Sequence, residues 1–593
     1  MSATALVVLG ALVLALPGIE LAPYAQGWLS AQAGRRVSLA SLRVTPGLTT
    51  RLELRDARLA NIPGGTRAEM LHVPHLRAAL ALMPLLQGRL ELREVEAEGA
   101  SLLLERDEER RGNWQGPRQT RPAGPSGRDG GWFVGLLRLA GSEIILRTSS
   151  GNTLTIGLEQ AEVLAASPAA PVRLHARGRY NALPVALQGE LGSFDTLAQA
   201  RRPFPMHLRA QSRQTQLMLE ATAADPLNFD HWQGRLEARA PDLAALLRDF
   251  GVEDGPATTL ELTGQASRAG DVWTLAQASG ALAGEALSVP LLRLTEGLPG
   301  TADSVAAEVD ATKLDLNRIL GRPAGPVPDR DADTPLRVDP NPDPRLQVRA
   351  SATELLYGEW RAQQAALRLE VAPGRITLEQ AAGTIAGARL QAAAEARALP
   401  EGAAVEASLT MANARLDTLR QLPGIRSLPL DGAVQAQASL SMRGATVRQA
   451  LRGAYGTTVL SMRDGTIDRA VIEAASTDLR ALFRTAPGRT RLRCALAVLV
   501  VREGRGRVAP LRLRADTGTV GGSALFDLNR RQFELAVRSQ RDSTDFLALD
   551  LPVRVYGSFA APSVGLGERG DIPGDGAIPL PDSLREAVRR SGC

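Results

Sequence analysis

The sequence predicts a mainly β protein with a few helices, an α+β class built as an extended antiparallel meander behind an amino-terminal transmembrane helix. Three observations predict it. Short runs alternate apolar with charged or small residues, Gly, Pro and Asn break those runs about every 8 to 15 residues, and residues 3 to 19 carry no charge. The alternation is explicit in Leu52 and Leu54 around Glu53, Leu90 and Leu92 around Glu91, Leu314 and Leu316 around Asp315, and Leu367 and Leu369 around Arg368. It returns in Leu511 and Leu513 around Arg512, in Phe533, Leu535 and Val537, and in Val553 and Val555 around Arg554. Successive side chains of a strand point to opposite sides, so each run has one apolar and one charged face.

The amino-terminal segment, ATALVVLGALVLALPGI from Ala3 to Ile19, is at the lower length limit for a spanning helix. Leu6, Val7, Val8, Leu9, Leu12, Val13, Leu14 and Leu16 are its anchor side chains. No Lys or Arg precedes it, and the nearest Ala-x-Ala lies at Ala31 to Ala33. A retained anchor over residues 1 to 24 is therefore favoured over a cleaved signal peptide. By the positive-inside rule alone Arg35 and Arg36 would hold the body in the cytoplasm, and charge leaves the orientation open.

The chain has 593 residues with 69 Lys+Arg against 64 Asp+Glu, a net charge of +5 that is too small for a nucleic-acid footprint. At 44% hydrophobic and 22% charged it is neither largely disordered nor a polytopic membrane protein. Helical patterns are few, at about 25 to 33, 74 to 86, 242 to 250 and 470 to 484. A short one at Ser583 to Arg590 has Ser583 and Glu586 in capping-box spacing and a narrow apolar stripe of Leu584 and Val588. Two stretches rich in Pro, Gly and charge read as linkers. The organisation is then an anchor (1–24), an amino-terminal module (25–115), a linker (116–131), a central β-rich region (132–320), a Pro/Asp-rich linker (321–345), a carboxy-terminal β module (346–562) and a Gly/Pro-rich tail with a short helix (563–593).

Motifs for chemistry fail on context. Gly565, Gly567 and Gly570 have G-x-G-x-x-G spacing, but the following DIPGDGAIP cannot form the helix that a dinucleotide site requires. Asp329, Asp331 and Asp333 copy the start of a calcium loop, yet Thr334 stands where its Gly belongs and Pro340 where its bidentate Glu belongs. His72 and His75 are separated by Pro74, with no third ligand nearby, and read as surface histidines. Lys313 is the only lysine, which excludes a lysine-based phosphate cradle. The two cysteines, Cys494 and Cys593, are too few for a disulfide framework, and Cys494, inside LRCALAVLVV, reads as a small buried hydrophobe. No catalytic residue, metal or cofactor is expected, and the chain is not expected to be an enzyme.

Two stretches resemble the AsmA family. The first runs through GRRVSLASL at Gly34 to Leu42, LRDARLANIPG at Leu54 to Gly64, LMPLLQGRLELREVEAEGASLLLERD at Leu82 to Asp107 and GNW at Gly112 to Trp114. The second, within 453 to 562, carries MRDGTID at Met462 to Asp468, GGSALFDL at Gly521 to Leu528 and LPVRVYGSFAAPSV at Leu551 to Val564. The resemblance implies an inner-membrane, single-pass protein with its body in the periplasm and a long sheet curled into an open trough. It implies phospholipid acyl chains as ligand, bound or conducted along the apolar face formed by the alternating residues named above, in support of outer-membrane lipid homeostasis. A rival expectation is an assembly factor that contacts outer-membrane proteins through open strand edges without moving lipid.

Overall fold

A computed structural model describes residues 21–87, 89–106, 112–114, 132–147, 153–180, 183–197, 202–213, 215–226, 230–249, 256–298, 300–319, 334–419, 430–469, 472, 488–527, 530, 532–540, 552–558, 561–566, 578, 580 and 582–593. The expected anchor, with Leu6 to Leu16, lies outside the described residues, as do the linker 116–131, the Asp329 to Asp333 cluster and most of 470–484. Among the described residues no helix is long and apolar enough to cross a membrane. The chain divides into two units: Met1–Ala306 with Arg318–Gly321, and Ala307–Asn317 with Arg322–Cys593.

The first unit opens with α1 (Ala22–Ala33), which has Pro23 in its first turn and ends on Gly34 in the left-handed conformation that closes helices. Four strands follow, β1 (Val37–Ser38), β2 (Ser41–Thr45), β3 (Thr49–Ala60) and β4 (Glu69–Ala81), then α2 (Leu82–Leu86), β5 (Leu90–Glu98) and β6 (Ser101–Glu105). A helix over 74 to 86 was the sequence expectation. Instead β4 continues through Ala81, because Leu76, Ala78 and Leu80 repeat at period two, and only the last five residues turn helical. Next come β7 (Trp132–Arg147), β8 (Thr153–Leu164), β9 (Pro171–Tyr180), β10 (Leu183–Ser193), α3 (Phe194–Leu197), β11 (Phe204–Ser212), β12 (Thr215–Asp225), β13 (Asp230–Ala240), α4 (Leu243–Asp249), β14 (Leu260–Ala269), β15 (Val272–Leu282) and β16 (Glu285–Thr295).

From β7 to β16 each strand pairs antiparallel with the next. The sheet is nevertheless mixed, which corrects the all-antiparallel expectation. Both β5 and β6 pair antiparallel with β4 on one side and parallel with β7 on the other, so they act as one strand interrupted at Gly99 and Ala100. A parallel neighbour requires a long return connection. Residues 106 to 131 supply that connection from the end of β6 to the start of β7.

Strand β17 (Ser304–Asp315) carries the boundary between units and leads into α5 (Leu316–Ile319). Leu316 is thus the first residue of a helix, not the strand partner of Leu314 that the alternation suggested. The second unit continues with β18 (Arg345–Tyr357), β19 (Trp360–Ala372), β20 (Arg375–Ile385), β21 (Ala388–Ala398), β22 (Ala403–Arg415), α6 (Leu416–Leu419), β23 (Leu430–Gly444), α7 (Val447–Arg452), β24 (Tyr455–Asp468), β25 (Arg489–Arg502), β26 (Arg505–Ala515), β27 (Gly518–Asp527), β28 (Gln532–Gln540), β29 (Val553–Ser558), β30 (Ala561–Leu566) and α8 (Asp582–Ser591). Strands β18 to β30 form an antiparallel meander, each paired with the next. Two-residue hairpins recur. Ala386–Gly387 and Glu503–Gly504 both place two successive residues at positive φ, the turn whose twist matches the flanking strands.

Candidate apolar face

The register turns the alternation within each strand into rows across the sheet. In the first unit Leu54, Leu76, Ala97, Leu139, Ala161 and Ala176 are successive cross-strand partners from β3 to β9. One residue along each strand, on the other face, runs Glu53, Arg77, Glu96, Arg138, Glu162 and His175. Opposite charges thus sit on adjacent strands. Arg138 reaches Glu94 at 2.9 Å, Glu162 at 3.3 Å and Glu96 at 3.4 Å, and this pairing raises its pKa above the usual arginine value, with the Glu162 hydrogen bond the largest cause. The second unit repeats the apolar row as Val348, Leu369, Leu378, Ala394, Ala407 and Leu440.

Among the described residues, burial separates an uncovered stretch from a covered one. Along β18 to β23 the large apolar side chains Leu346, Val348, Leu367, Leu369, Leu378, Leu390 and Leu440 are half-buried, and Leu409 is 42% exposed. A second layer would take such residues out of water, as protein interiors are close-packed. In β24 and β25, by contrast, Ile467 and Leu492 are 0% exposed, Val498 is 1%, and Val459 and Leu496 are 2%. Two covers produce this. On the apolar face Leu416 of α6 and Ile472 complete a cluster with Met462, Ile467, Leu492 and Val520. On the opposite face α8 lays Leu584, Ala587 and Val588 on Val459, Leu496 and Val498.

A disulfide fixes that second cover. Cys494 is 4% exposed, as a small buried hydrophobe would be, but its sulfur is bonded to Cys593 across a sequence separation of 99. The sequence reading missed this bond, because spacing alone does not bring two cysteines together. Arg463 Nε donates to the Ser591 carbonyl and Arg512 Nη1 to the Cys593 carbonyl, both at 3.4 Å, so the helix is also tied to the sheet by its last residues. Its Glu586 pairs with Arg589 and Arg590.

The residues expected to line the apolar face fall into three situations. Leu52 and Leu54 stand between Val44 or Leu42 on β2 and Ala78 or Leu76 on β4, Leu92 pairs with Leu80, and Leu90 pairs with Trp132 at the end of the sheet. Leu367 and Leu369 lie on the uncovered stretch of the second unit. Leu511 pairs with Ala497 and Gly522, Leu535 with Ala524 and Val555, and Val537 with Val553, whereas Leu513 and Val537 also pack against the covered cluster. Phe533 faces Phe526 and helps line a depression of about 540 Å³ with Leu525 and Tyr556. Other depressions, of about 340 and 560 Å³, lie largely among charged residues such as Arg43, Glu53, Arg77, Arg138 and Arg177, and belong to the ion-paired face.

His72 and His75 are on β4, not on a helix. His72 Nε2 lies 2.8 Å from Asp56, and His75 Nε2 lies 3.3 Å from Glu53. Among the described residues no group of three side chains could hold a metal ion.

The turn after β3 is held by a buried polar network. Asn113, 0% exposed, donates to Asn61 Oδ1 at 3.0 Å and to the Leu103 carbonyl at 2.9 Å, and accepts the Glu105 N–H at 3.1 Å. Glu105 is itself 4% exposed. Burial pushes its pKa up most strongly, yet hydrogen bonds from the Thr66 hydroxyl, Asn61 and the Thr66 N–H outweigh that, so its net shift is downward. A side chain on Gly65 would put a carbon 2.3 Å from Asn61 Nδ2 and 2.5 Å from Glu105 Oε1. The Asn-Ile-Pro-Gly-Gly and Gly-Asn-Trp sequences are thus two halves of one structural lock.

Neither the curated proteins nor the solved structures yield a match to this chain. Residues 4–121 match the model of the AsmA family, a range that takes in α1, the first six strands and the whole Asn61–Glu105–Asn113 lock. The match covers the first of the two stretches that carry the resemblance to the AsmA family and supports that assignment for the amino-terminal region.

Proposed function

We propose that the apolar face of the sheet binds the acyl chains of glycerophospholipids. The chain would be tethered at the inner membrane by residues 3 to 19, with its body in the periplasm, in support of outer-membrane lipid homeostasis. The observation that carries this reading is the row of half-exposed leucines on β18 to β23, opposite a face made of charged and polar residues. An apolar surface left in water is costly, at about 25 cal/mol per Å², and an acyl chain laid on it removes that cost from both partners. Each methylene buried contributes about 0.8 kcal/mol, so roughly ten of them supply about 8 kcal/mol before the cost of ordering the lipid. Binding of this kind requires shape and apolarity, not a catalytic residue. The Cys494–Cys593 bond agrees with an oxidising compartment, where such bonds persist.

The test is lipid extraction from the purified full-length chain, followed by mass spectrometry. Phospholipid at a fixed ratio to protein supports the reading. Protein that is free of lipid after mild extraction from membranes, and that takes up none from vesicles, contradicts it.

A further inference from the structure

Five large apolar side chains of the first unit project into solvent instead of lining its apolar face. Leu48 is 78% exposed, Met83 57%, Trp132 52%, Leu90 45% and Leu86 43%. Single exposed leucines are ordinary on any protein surface. These five share one end of the sheet. Leu48 closes the turn from β2 to β3, and its carbonyl accepts the Leu82 N–H at 3.0 Å where α2 begins. Met83 and Leu86 are on α2, and Leu90 and Trp132 are paired at the starts of β5 and β7.

Arginines ring this tip. Arg51, Arg89 and Arg93 are exposed around it, and Arg93 Nη1 donates to Thr49 Oγ1 at 3.3 Å, beside Leu48. The path of α1 points the same way. Ser30 Oγ accepts the Val37 N–H at 2.9 Å and Gln26 Nε2 donates to the Leu39 carbonyl at 3.0 Å, so the helix runs antiparallel to β1 and β2. Its amino-terminal end, to which the uncharged residues 3 to 19 are joined, is therefore directed towards the tip. Tyr24 and Trp28, one helical turn apart, are 80% and 49% exposed on it.

We propose that this tip is a membrane-contact surface that seats the first unit on a phospholipid bilayer. Leu48, Met83, Leu86 and Leu90 enter the boundary between headgroups and acyl chains, Trp132 lies at headgroup level, and the arginines meet lipid phosphates. An apolar wedge with an aromatic residue and a basic collar is the arrangement that a bilayer interface favours. The contact goes beyond acyl-chain binding by the sheet and does not depend on it.

The disulfide occupies both native cysteines, so one introduced cysteine can be labelled uniquely. The full chain is reconstituted into vesicles of phosphatidylethanolamine and phosphatidylglycerol with nitroxide-labelled phosphatidylcholine. An environment-sensitive fluorophore is placed by Leu48→Cys or Met83→Cys at the tip, by Ala68→Cys in the exposed β3–β4 connection at the opposite end, or by Leu187→Cys on the apolar face. Lipid nitroxide should quench the two tip labels at least twofold more than the labels at 68 and 187, with aqueous iodide showing the reverse order. Iodide quenching at the tip equal to that at 68 would overturn the contact. So would nitroxide quenching at 187 as strong as at the tip, which would assign the signal to lipid taken up by the sheet. If the tip is quenched and extraction finds no bound lipid, the contact stands and the acyl-chain reading fails alone.

Discussion

Strands β18 to β23 and strands β24 to β25 are built from the same kind of residue and come to opposite ends. In the first stretch leucines and alanines form an apolar row that water still reaches; in the second, Val459, Ile467, Leu492, Leu496 and Val498 are almost wholly out of water. Backbone geometry is common to both, so what differs is cover. Strand β21, ARLQAAAEARA, keeps charged or polar residues at intervals, whereas β25 runs through Cys494 to Val501 without one because apolar partners lie on both of its faces. An apolar face becomes a core where a second element closes it and stays a surface where none does.

Three substitutions sharpen this comparison, beginning with the largest expected effect. Leu496→Asp would bury an unpaired carboxylate beneath α8 and should cost about 3 kcal/mol or more, read as a collapsed thermal melt of the second unit. Cys593→Ser removes the bond that holds α8 and should cost about 2–4 kcal/mol. Hydrogen exchange should then speed up in β24 and β25 and stay unchanged in β19 to β21; uniform acceleration would show that the cover is not local. In the first unit, Asn113→Ala removes the donor to Asn61 Oδ1 and to the Leu103 carbonyl and the acceptor of the Glu105 N–H, at about 1–3 kcal/mol in a denaturant titration.

The lock also predicts a pH dependence. The pKa of Glu105 is depressed in the folded protein, so its contribution is fully present above the unfolded carboxylate value and is lost as pH falls through the lower folded value. Acid below about pH 4 should therefore destabilise the turn after β3. Glu105→Gln should be less stable than the parent at neutral pH and should lose less on acidification; an equal acid loss in both would remove Glu105 from the account.

Much of the β architecture was legible because alternation is a local property, visible in runs such as Leu52 to Leu54 and Phe533 to Val537. Features that depend on distant pairing were not. Nothing in the spacing of Glu53, Arg77, Glu96 and Arg138 says that they are neighbours, since only the register aligns them. The parallel return of β7 beside β5 depends on where residues 106 to 131 lead the chain, and Leu90 to Glu98 alone reads as an ordinary hairpin arm. Leu314 and Leu316 show the limit of the pattern itself, for two leucines around an aspartate fit a strand end and a helix start equally well. The α8 stripe of Leu584 and Val588 looked narrow because the bond from Cys593 to Cys494, a long-range contact, does part of the docking.

The central claim is that the apolar face of β18 to β23 is open and holds lipid, and it is tested most directly by Leu409→Asp combined with Leu440→Asp. Leu409 is 42% exposed and Leu440 is half-buried on that face. The purified full-length variant is measured by thermal melting and by lipid extraction with mass spectrometry beside the parent and Leu496→Asp. Water can solvate carboxylates at both positions, so the account predicts a melt within about 1 kcal/mol of the parent and a clear loss of bound phospholipid. A melt that collapses as in Leu496→Asp, or a stable variant that keeps its full complement of lipid, would contradict it.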